Sequence, residues 1–256
     1  RQMCIRDRSM LAEERFREIL KIVNEKKTVT VQELTALLET SESTIRRDLT
    51  TLHQRGALIK VHGGAAAAES ETMTRDADLS LRSTLNKEEK AVIGKYAAGL
   101  IREEDFVYLD AGSSVDVMID YITETGALYV TNAVSHAQKL LKKGMRVFLI
   151  GGELKAVTEA IVGAEAVEGL KKYHFTKGFF GTNGADAVSG YTTPDITEAL
   201  VKEKAMQQCR KNYVLSDSSK INQISSVTFA DFQSAQLITT KLQDESYKKY
   251  TNIMEV

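Results

Sequence analysis

Apolar residues recur at helical spacing in three stretches near the start of the chain, with polar residues between them. This spacing predicts amphipathic helices over residues 10–26, 31–38 and 42–55. Ser41 stands immediately before the third stretch as an N-cap, and Gly56 follows that stretch as a stop. We therefore expect only a short turn between the second and third helices.

The sequence "ALIKVH" follows the third helix and alternates apolar and polar residues, which predicts a β-strand. Gly63 and Gly64 then provide a turn. Three helices followed by a β-ribbon are the element order of a winged helix-turn-helix domain, which we place at residues 10–65. Residues 1–9 show no periodicity, and we interpret them as a non-native leader.

Residues 66–85 have few apolar positions, and we expect a linker there. From residue 86 onward, short apolar stretches such as "FVYLD", "LYVTN" and "RVFLIGG" alternate with longer helical patterns. This alternation predicts an α/β domain over residues 86–256, with a doubly wound, mostly parallel sheet. Ligands of such sheets bind beyond the carboxyl ends of the strands.

Composition narrows the class of protein. With 43% hydrophobic and 27% charged residues, the 256-residue chain is typical of a globular protein with a substantial core. No apolar run is long enough for a membrane helix, and two cysteines cannot form a disulfide framework, so we expect a cytoplasmic protein. The four histidines lack metal-ligand spacing, and we expect neither a metal nor a cofactor.

The net charge of -1 conceals an uneven distribution. Residues 43–65 contain four basic residues and a single acid, whereas the chain after Ala65 is acidic overall. A basic segment confined to one part of the chain indicates a nucleic-acid partner.

The predicted third helix has one apolar face and one polar face. Helical periodicity brings Ile45, Leu49 and Leu52 together toward a core. The other face carries hydroxyl and guanidinium groups, which read base edges and phosphates from the major groove, and we assign Arg47 to bases and Arg46 to phosphate. The predicted DNA-contacting residues of this helix and the ribbon are Ser43, Thr44, Arg46, Arg47, Thr50, Lys60 and His62.

Asp48 lies beside the core face of the same helix, so we expect it to pair with a nearby basic group. The alternative interpretation of the helix is a polar face that is only solvated, in a protein that does not bind nucleic acid. That alternative predicts no steep salt dependence of DNA binding.

Small and polar residues cluster where five of the predicted strands end. A Gly-Ser-Ser turn that opens a helix, as in "LDAGSS", offers backbone N–H groups, hydroxyls and the positive helix end to a phosphate. Lys220 adds a positive charge, and the side chains of Asp110 and Asn132 suit the hydroxyls of a polyol. The predicted effector-binding residues are Asp110, Gly112, Ser113, Ser114, Thr131, Asn132, Gly151, Gly152, Gly181, Glu198, Lys202 and Lys220.

The stretch "SESTIRRDLTTLHQRGALIKVHGGA" closely resembles the signature of the DeoR family of bacterial transcription regulators. The pieces "LDAGSS", "VTN", "IGGEL", "FFGTNGAD", "EALVKEKAM" and "SDSSK" resemble that family's effector domain, which is similar to ribose-5-phosphate isomerase and the CoA-transferase superfamily. The resemblance implies a Rossmann-like domain that binds a phosphorylated sugar. It also implies a repressor that binds double-stranded operator DNA as a homo-oligomer, dimer or tetramer.

Within the family, "FTKGFFGTNGAD" and "GYTTPDITEALVKEKAM" resemble the fructose-operon repressors of Gram-positive bacteria. That resemblance implies fructose 1-phosphate as the effector. Repressors of the lactose and tagatose pathway, which respond to tagatose 6-phosphate, are the second candidate.

A different class of function is a sugar-phosphate isomerase with an appended DNA-binding domain. Isomerases of this fold carry an acid where this chain has Thr182 and Asn183, so we expect binding without turnover. Glu203 keeps the isomerase alternative open. Glu198 and Lys202 lie one helical turn apart, so they either face the pocket or form a surface ion pair, which is the simpler interpretation.

Overall fold

The computed structural model describes residues 12–26, 28–54, 57–61, 63–67, 86–242 and 244–256. The chain divides into two compact units, Arg1–Glu71 and Thr72–Val256. The predicted leader, His62 and the part of the predicted linker from residue 68 to residue 85 lie outside the described residues, as does the predicted end of the third helix at Gly56.

Within its described residues, the first unit contains three helices and a three-stranded antiparallel sheet. Its elements are α1 (Ala12–Lys26), β1 (Thr28–Thr30), α2 (Val31–Leu37), α3 (Glu42–Gln54), β2 (Leu58–Val61) and β3 (Gly64–Ala67). The strand order is β1-β3-β2. The three helices and the β2–β3 ribbon confirm the predicted winged helix-turn-helix order, and β3 continues into the segment that was predicted as a linker.

Strand β1 is an element that the sequence pattern did not predict, because three residues leave no readable period. Val29 pairs with Ala65, and a Cβ at Gly64 would come within 2.1 Å of the Val29 carbonyl oxygen, so only glycine fits there. Thr30 then opens α2 with a capping box. Its hydroxyl accepts the Glu33 N–H at 3.2 Å, and the Glu33 carboxylate accepts the Thr30 N–H at 2.8 Å.

One hydrophobic core holds the three helices of this unit against its sheet. Side chains from every helix and from β2 meet there and are almost completely removed from water. The buried residues of this core include Phe16, Ile19, Val23, Val29, Val31, Leu34, Ile45, Leu49, Leu52 and Leu58.

The second unit is built on a seven-stranded parallel sheet with a separate hydrophobic core on each face. Its elements in chain order are α4 (Lys87–Ala98), β4 (Phe106–Leu109), α5 (Ser113–Tyr121), β5 (Leu128–Thr131), α6 (Val134–Lys142), β6 (Arg146–Leu149), β7 (Glu153–Leu154), β8 (Ile161–Val162), α7 (Ala164–Leu170), β9 (Phe175–Gly181), β10 (Gly184–Asp186), β11 (Gly190–Thr193), α8 (Ile196–Gln207), β12 (Cys209–Leu215), β13 (Val227–Ala230), β14 (Gln236–Thr239) and β15 (Ile253–Glu255).

The order of the large sheet is β15-β14-β12-β9-β4-β5-β6. Helices α4, α5 and α6 contribute to the core on one face, and α7 and α8 contribute to the core on the other. The predicted doubly wound α/β fold is therefore confirmed. The chain builds outward in opposite directions from β4 and from β9, so these adjacent strands form a topological switch point, where such sheets bind ligands.

Two smaller β-structures flank this sheet: an antiparallel sheet of order β10-β11-β13 and the hairpin β7–β8. Strand β13 pairs with β11 in the small antiparallel sheet, whereas β14 pairs with β12 in the large sheet. Residues 184–186 and 190–193 were missed as strands because their glycines, threonines and single aspartate show no alternation.

Candidate functional sites

The third helix of the first unit has the two faces that its periodicity predicts. Ile45 and Leu49 are completely buried and Leu52 is nearly so, whereas Ser43 and Arg47 are exposed. The helix is therefore anchored by one face and presents the other to solvent, as a DNA-reading helix must.

Hydroxyl groups cluster at the start of α3. The Ser41 hydroxyl accepts the Thr44 N–H at 3.2 Å, which confirms the predicted N-cap. The same hydroxyl lies 2.9 Å from that of Ser43 and 2.8 Å from that of Thr44. Three hydroxyls thus stand side by side at the helix end that enters a major groove in proteins of this architecture.

The adjacent arginines of α3 have different surroundings. The Nε atom of Arg46 donates to the Glu42 carboxylate at 2.9 Å, one helical turn back. Among the residues that the structure describes, the Arg47 guanidinium has no hydrogen-bond or ion-pair partner. The Arg47 guanidinium therefore keeps its donors available for a base edge. To contact a phosphate, Arg46 would have to break its hydrogen bonds to the Glu42 carboxylate or share its donors with it.

The wing is tied to the recognition helix by Lys60 on β2. Its ammonium donates to the Thr50 hydroxyl at 2.7 Å, and that hydroxyl donates to the Arg46 carbonyl oxygen at 2.7 Å. The Lys60 backbone N–H also donates to Nδ1 of His53, a contact that the sequence analysis did not foresee. Lys60 and Thr50 thus lie on one surface. Both were predicted to contact DNA, and a shared surface is consistent with that prediction.

Asp48 pairs with Arg15 of α1, as predicted for a structural carboxylate. The Arg15 Nε atom lies 2.5 Å from one carboxylate oxygen, and Nη2 lies 3.2 Å from the other. Asp48 is only 6% exposed. This two-point ion pair fixes the recognition helix to the first helix.

The switch point of the second unit holds a buried ion pair between Asp110, which follows β4, and Lys202 of α8. Asp110 is 1% exposed and Lys202 is 4% exposed. The Asp110 carboxylate also accepts the Gly181 N–H at 3.1 Å, at the end of β9. Burial raises the pKa of Asp110 above its ordinary value, and the Lys202 ammonium opposes that rise.

The polar residues at the end of β5 hold the neighbouring loops. The Asn132 side chain accepts the Ala111 N–H at 2.8 Å and donates to the Ile161 carbonyl oxygen at 3.3 Å. The Thr131 hydroxyl accepts the Ala133 N–H at 3.1 Å. The side chains predicted to meet sugar hydroxyls are thus engaged in shaping the switch point, and their contact with a ligand stays a prediction.

The Gly-Ser-Ser turn opens α5 beside this ion pair. Gly112 precedes the helix, and a Cβ placed there would lie 3.7 Å from the Gly181 Cα atom, so the two loops nearly touch. The Lys90 ammonium of α4, 4% exposed, donates to the Ser113 hydroxyl at 3.1 Å. Ser114 is buried in the first turn. A cation, hydroxyls and a helix start therefore converge, and sequence reasoning missed Lys90.

Lys220 ends a 3-10 turn, Ser218–Lys220, that is attached to the start of α4. The Asn86 amide donates to Asp217 at 2.9 Å and to the Ser219 hydroxyl at 3.1 Å. Asp217 also accepts the Ser219 N–H and so caps the turn. These contacts place the Lys220 loop next to the helix that carries Lys90.

Glu198 and Lys202 are both buried, so the surface ion pair that was the simpler interpretation is wrong. Glu198 instead accepts hydrogen bonds from the Lys155 ammonium at 2.9 Å and from the Thr158 hydroxyl at 2.7 Å. Lys155 also lies 3.1 Å from Asp195. The two residues of α8 face inward and take different partners, which helical spacing alone does not reveal.

Gly151 and Gly152 follow β6 and are exposed. Gly152 lines an open groove of about 360 Å³ whose lining also includes Glu153 and Glu165. Two carboxylates disfavour a phosphate, so these glycines are less suited to the effector site than the residues at the switch point.

His136 of α6 is a buried titratable group that the sequence analysis did not assign. It is 1% exposed, and its Nε2 atom lies 3.6 Å from Asp116. Burial lowers the pKa of His136 to about 4, so the imidazole is neutral at pH 7.

Two family models match the chain. The model of the DeoR-like helix-turn-helix domain matches residues 15–71, and the model of the DeoR C-terminal sensor domain matches residues 85–241. The chain belongs to the DeoR family.

Two similar proteins align with nearly the whole chain. An uncharacterized HTH-type transcriptional regulator, FruR of Bacillus subtilis (strain 168), is 41% identical over 94% of this chain and 96% of its own length. A lactose phosphotransferase system repressor of Streptococcus mutans serotype c is 33% identical over 96% of this chain and its full length.

Among solved structures, the sensor fold overlaps weakly with a ribose 5-phosphate isomerase A from Methanocaldococcus jannaschii. The identity is 13%, the TM-score is 0.41, and the overlap covers 53% of this chain and 55% of that chain. A likeness this weak carries no argument about function.

Membership of the DeoR family makes the protein a transcriptional regulator and not an enzyme. Glu203, which had kept the isomerase alternative open, is exposed and accepts a hydrogen bond from Gln207 at 3.3 Å. Within the described part of the chain, no helix is long and apolar enough to cross a membrane.

Proposed function

We propose that this DeoR-family protein represses a sugar-utilisation operon and leaves its operator when a phosphorylated sugar binds to the sensor unit. The convergence of Lys90, the Ser113 hydroxyl and the start of α5 at the switch point carries this proposal. A phosphate needs a positive charge, hydrogen-bond donors and a helix N-terminus, and this edge of the sheet supplies all three.

The phosphoryl group binds at Gly112, Ser113 and Ser114, with Lys90 and Lys220 as cations. The sugar hydroxyls lie toward the loops of Asp110, Thr131, Asn132 and Gly181, and Lys202 and Glu198 hold the pocket wall. A neutral sugar without its phosphate is a poor effector, because it brings no anion to the cations, hydroxyls and helix start at this edge of the sheet.

On the DNA, α3 lies in the major groove. Arg47 pairs with a base edge, Arg46 contacts a phosphate, and Ser43, Thr44 and Thr50 contact bases or backbone. Lys60 and His62 extend the contacts from the wing. One winged domain covers few base pairs, so the cytoplasmic protein binds repeated half-sites as at least a dimer.

Fructose 1-phosphate is the first candidate effector, and the similarity to FruR of Bacillus subtilis supports it. Tagatose 6-phosphate is the second candidate, and the similarity to lactose phosphotransferase system repressors supports that choice. Both are phosphorylated ketohexoses, so the proposed phosphate site is the same for both.

The effector acts through a difference in affinity between two states of the protein. The sugar phosphate must bind the DNA-free state more tightly than the DNA-bound state. Operator DNA must then weaken the binding of the sugar phosphate by the same factor. Such a coupling free energy is typically about 1–3 kcal/mol. Operator binding and effector binding can therefore be measured from either side.

A thermal-unfolding screen tests the effector. Fructose 1-phosphate, tagatose 6-phosphate, fructose 6-phosphate, fructose and inorganic phosphate are compared, and a ligand at 100 times its dissociation constant adds about 2.7 kcal/mol of stability. We expect a large upward shift with one phosphorylated sugar and none with fructose. Equal shifts with phosphate alone would contradict recognition of the sugar.

The variant Ser113→Asp tests the site. A carboxylate beside the phosphate repels it, so the variant keeps operator binding and loses effector-induced release. Ser246→Asp, on an exposed turn of the same unit, is the matched control and keeps its response. Release of Ser113→Asp from DNA at the wild-type effector concentration would place the pocket elsewhere.

A further inference from the structure

Helix α4 is the first described element of the sensor unit, and its opening turn (residues 86–90) contacts both loops that supply the proposed phosphate site. On one side, the Lys90 ammonium donates to the Ser113 hydroxyl at 3.1 Å. On the other side, Asn86 and Glu89 form hydrogen bonds with the loop of the Ser218–Lys220 turn. The chain that comes from the DNA-binding unit thus enters the sensor unit at an element bonded to both sides of this site.

The Glu89 carboxylate accepts three hydrogen bonds from two segments of the sensor unit. One oxygen accepts the Ser218 backbone N–H at 2.9 Å and the Thr240 hydroxyl at 2.6 Å, and the other accepts the Ser218 hydroxyl at 3.1 Å. Hydrogen bonds to a charged acceptor are stronger than those between neutral groups. A movement of the Ser218–Lys220 turn therefore either breaks these bonds or moves the opening turn with it.

Asn86 makes a second attachment at the point where the chain enters α4. It occupies the N-cap position, but its side chain makes no cap hydrogen bond. The amide donates instead to Asp217 at 2.9 Å and to the Ser219 hydroxyl at 3.1 Å. The φ angle of Asn86 is 52°, in the left-handed region where residues other than glycine are uncommon. The residue that sets the direction of the chain into α4 is thus the one whose side chain holds the Lys220 loop.

We propose that the opening turn of α4 couples the effector site to the DNA-binding unit, with Asn86 and Glu89 as the positioning residues. A phosphoryl group between Ser113 and Lys220 attracts both loops, so their relative position differs between the free and the effector-bound protein. The opening turn is bonded to both loops and moves with them, which changes the direction in which the chain enters the sensor unit. The inference rests on the proposed function, because it names the element through which the sugar phosphate acts.

Coupling at these residues is separable from binding. Neither Asn86 nor Glu89 contacts the sugar phosphate or the DNA in this proposal, so their substitution leaves each ligand bound with nearly wild-type affinity. The effect of one ligand on the binding of the other is what is lost. A residue that only stabilises the fold has a different signature, since its substitution lowers the unfolding temperature and leaves the response to the effector intact.

The variants Glu89→Ala and Asn86→Gly test the coupling. Alanine removes the carboxylate, and glycine removes the amide while it keeps the left-handed backbone accessible. Fluorescence anisotropy measures the dissociation constant for an operator duplex selected by the wild-type protein, without effector and with saturating fructose 1-phosphate or, separately, tagatose 6-phosphate. The ratio of the constants with and without effector is the release factor. We expect a release factor of about 5–150 in the wild type and below about 3 in either variant.

Glu88→Ala is the matched control, because it removes the same charge from the adjacent, exposed position of the helix. It should keep the wild-type release factor. Glu89→Gln retains one acceptor oxygen, so its release factor should lie between those of Glu89→Ala and the wild type. Calorimetric titration of each DNA-free variant with the same sugar phosphate should give a dissociation constant close to that of the wild type.

Two results would overturn the coupling role: a wild-type release factor in both variants, or a reduced factor that weaker sugar-phosphate binding to the DNA-free protein explains. Release of the wild-type protein by neither sugar phosphate is a different outcome, in which the proposed function fails and this inference fails with it. Hydrogen exchange adds a measurement on the unaltered protein. The effector should change the exchange of backbone amides in residues 86–90, and unchanged exchange there would also contradict the coupling.

Discussion

The two units of this protein use polar residues in opposite ways. In the DNA-binding unit, the side chains assigned to DNA, such as Ser43 and Arg47, are exposed on a helix whose other face is buried. In the sensor unit, the polar side chains at the switch point, such as Asp110 and Lys202, are themselves buried. The first set of side chains takes no part in a core, whereas the second set belongs to the buried structure around the switch point.

This difference separates the effects of substitution. An exposed arginine can be removed with little change in the free energy of unfolding, because water already solvates it. A buried charge cannot lose its partner without leaving the other charge unsolvated. Substitutions in the two units should therefore affect function and stability in different proportions.

The largest effect is expected from Lys202→Ala. Loss of the ammonium leaves the Asp110 carboxylate buried and uncompensated, which costs about 3–5 kcal/mol of unfolding free energy. Urea unfolding monitored by circular dichroism measures the loss. The exposed neighbour Glu203→Ala is the matched control and should change stability by less than about 0.5 kcal/mol.

A double variant sharpens this prediction. Asp110→Asn together with Lys202→Met removes both charges and should recover much of the stability that Lys202→Ala loses. If Lys202→Ala and Glu203→Ala were equally stable, the Asp110–Lys202 ion pair would contribute nothing to the free energy of unfolding. The contrast between the exposed polar residues of one unit and the buried ones of the other would then fail.

The next effect is a loss of stability in acid caused by His136. Burial is the largest cause of its low pKa, Lys139 and Lys202 lower it further, and Asp116 opposes them. The folded pKa of about 4 lies below the ordinary 6.5, so the unfolded chain binds more protons between these values. Stability is therefore lost as the pH falls from about 6.5 to 4, by about 3 kcal/mol at most.

Unfolding measured at steps across this pH range tests the role of His136. The variant His136→Gln does not titrate, so its stability should fall less steeply than that of the wild type between pH 6.5 and 4. Parallel slopes for the two proteins would assign the acid loss to other groups.

A smaller effect, confined to function, is expected from Arg47→Ala. We expect operator binding to weaken by about 1–3 kcal/mol and base preference to relax at one position, with the unfolding free energy unchanged. Binding is measured on a duplex that the wild-type protein selects from random sequences. Arg46→Ala is the comparison: it should weaken all sequences alike and make the salt dependence shallower.

The smallest effect is expected from Ser41→Ala. The substitution removes the hydroxyl that accepts the Thr44 N–H, and loss of such a cap costs about 1 kcal/mol. Thermal unfolding of the DNA-binding unit measures it. Ser41→Asp keeps an acceptor and should stay close to the wild type, whereas equal losses in both variants would exclude capping as the cause.

Local periodicity predicted most of the fold. The three helices of the first unit and strands β4, β5 and β6 of the large sheet follow from spacing. Ile45, Leu49 and Leu52 lie in the core as that spacing requires. The short strand β1 and the small antiparallel sheet escaped prediction, because they depend on partners far along the chain.

The sites were predictable only as lists of residues. The pairing of the buried groups could not be predicted, because the partners are far apart in the sequence. Asp110 and Lys202 are 92 positions apart, and Lys155 and Glu198 are 43 positions apart. No periodic pattern encodes such pairs. Asp48 was expected to pair with a nearby basic group, but that this group is Arg15 of α1 appears only in three dimensions.

The position of β4 beside β9 has a consequence for the synthesis of the protein. Val107 pairs with Lys177, so one side of β4 has no neighbour until the later strand leaves the ribosome. At about 5–20 residues per second, the delay lasts roughly 4–14 s. The winged domain is complete before this interval begins, whereas the half-built sheet exposes an apolar edge throughout it, which is when chaperones would be needed most.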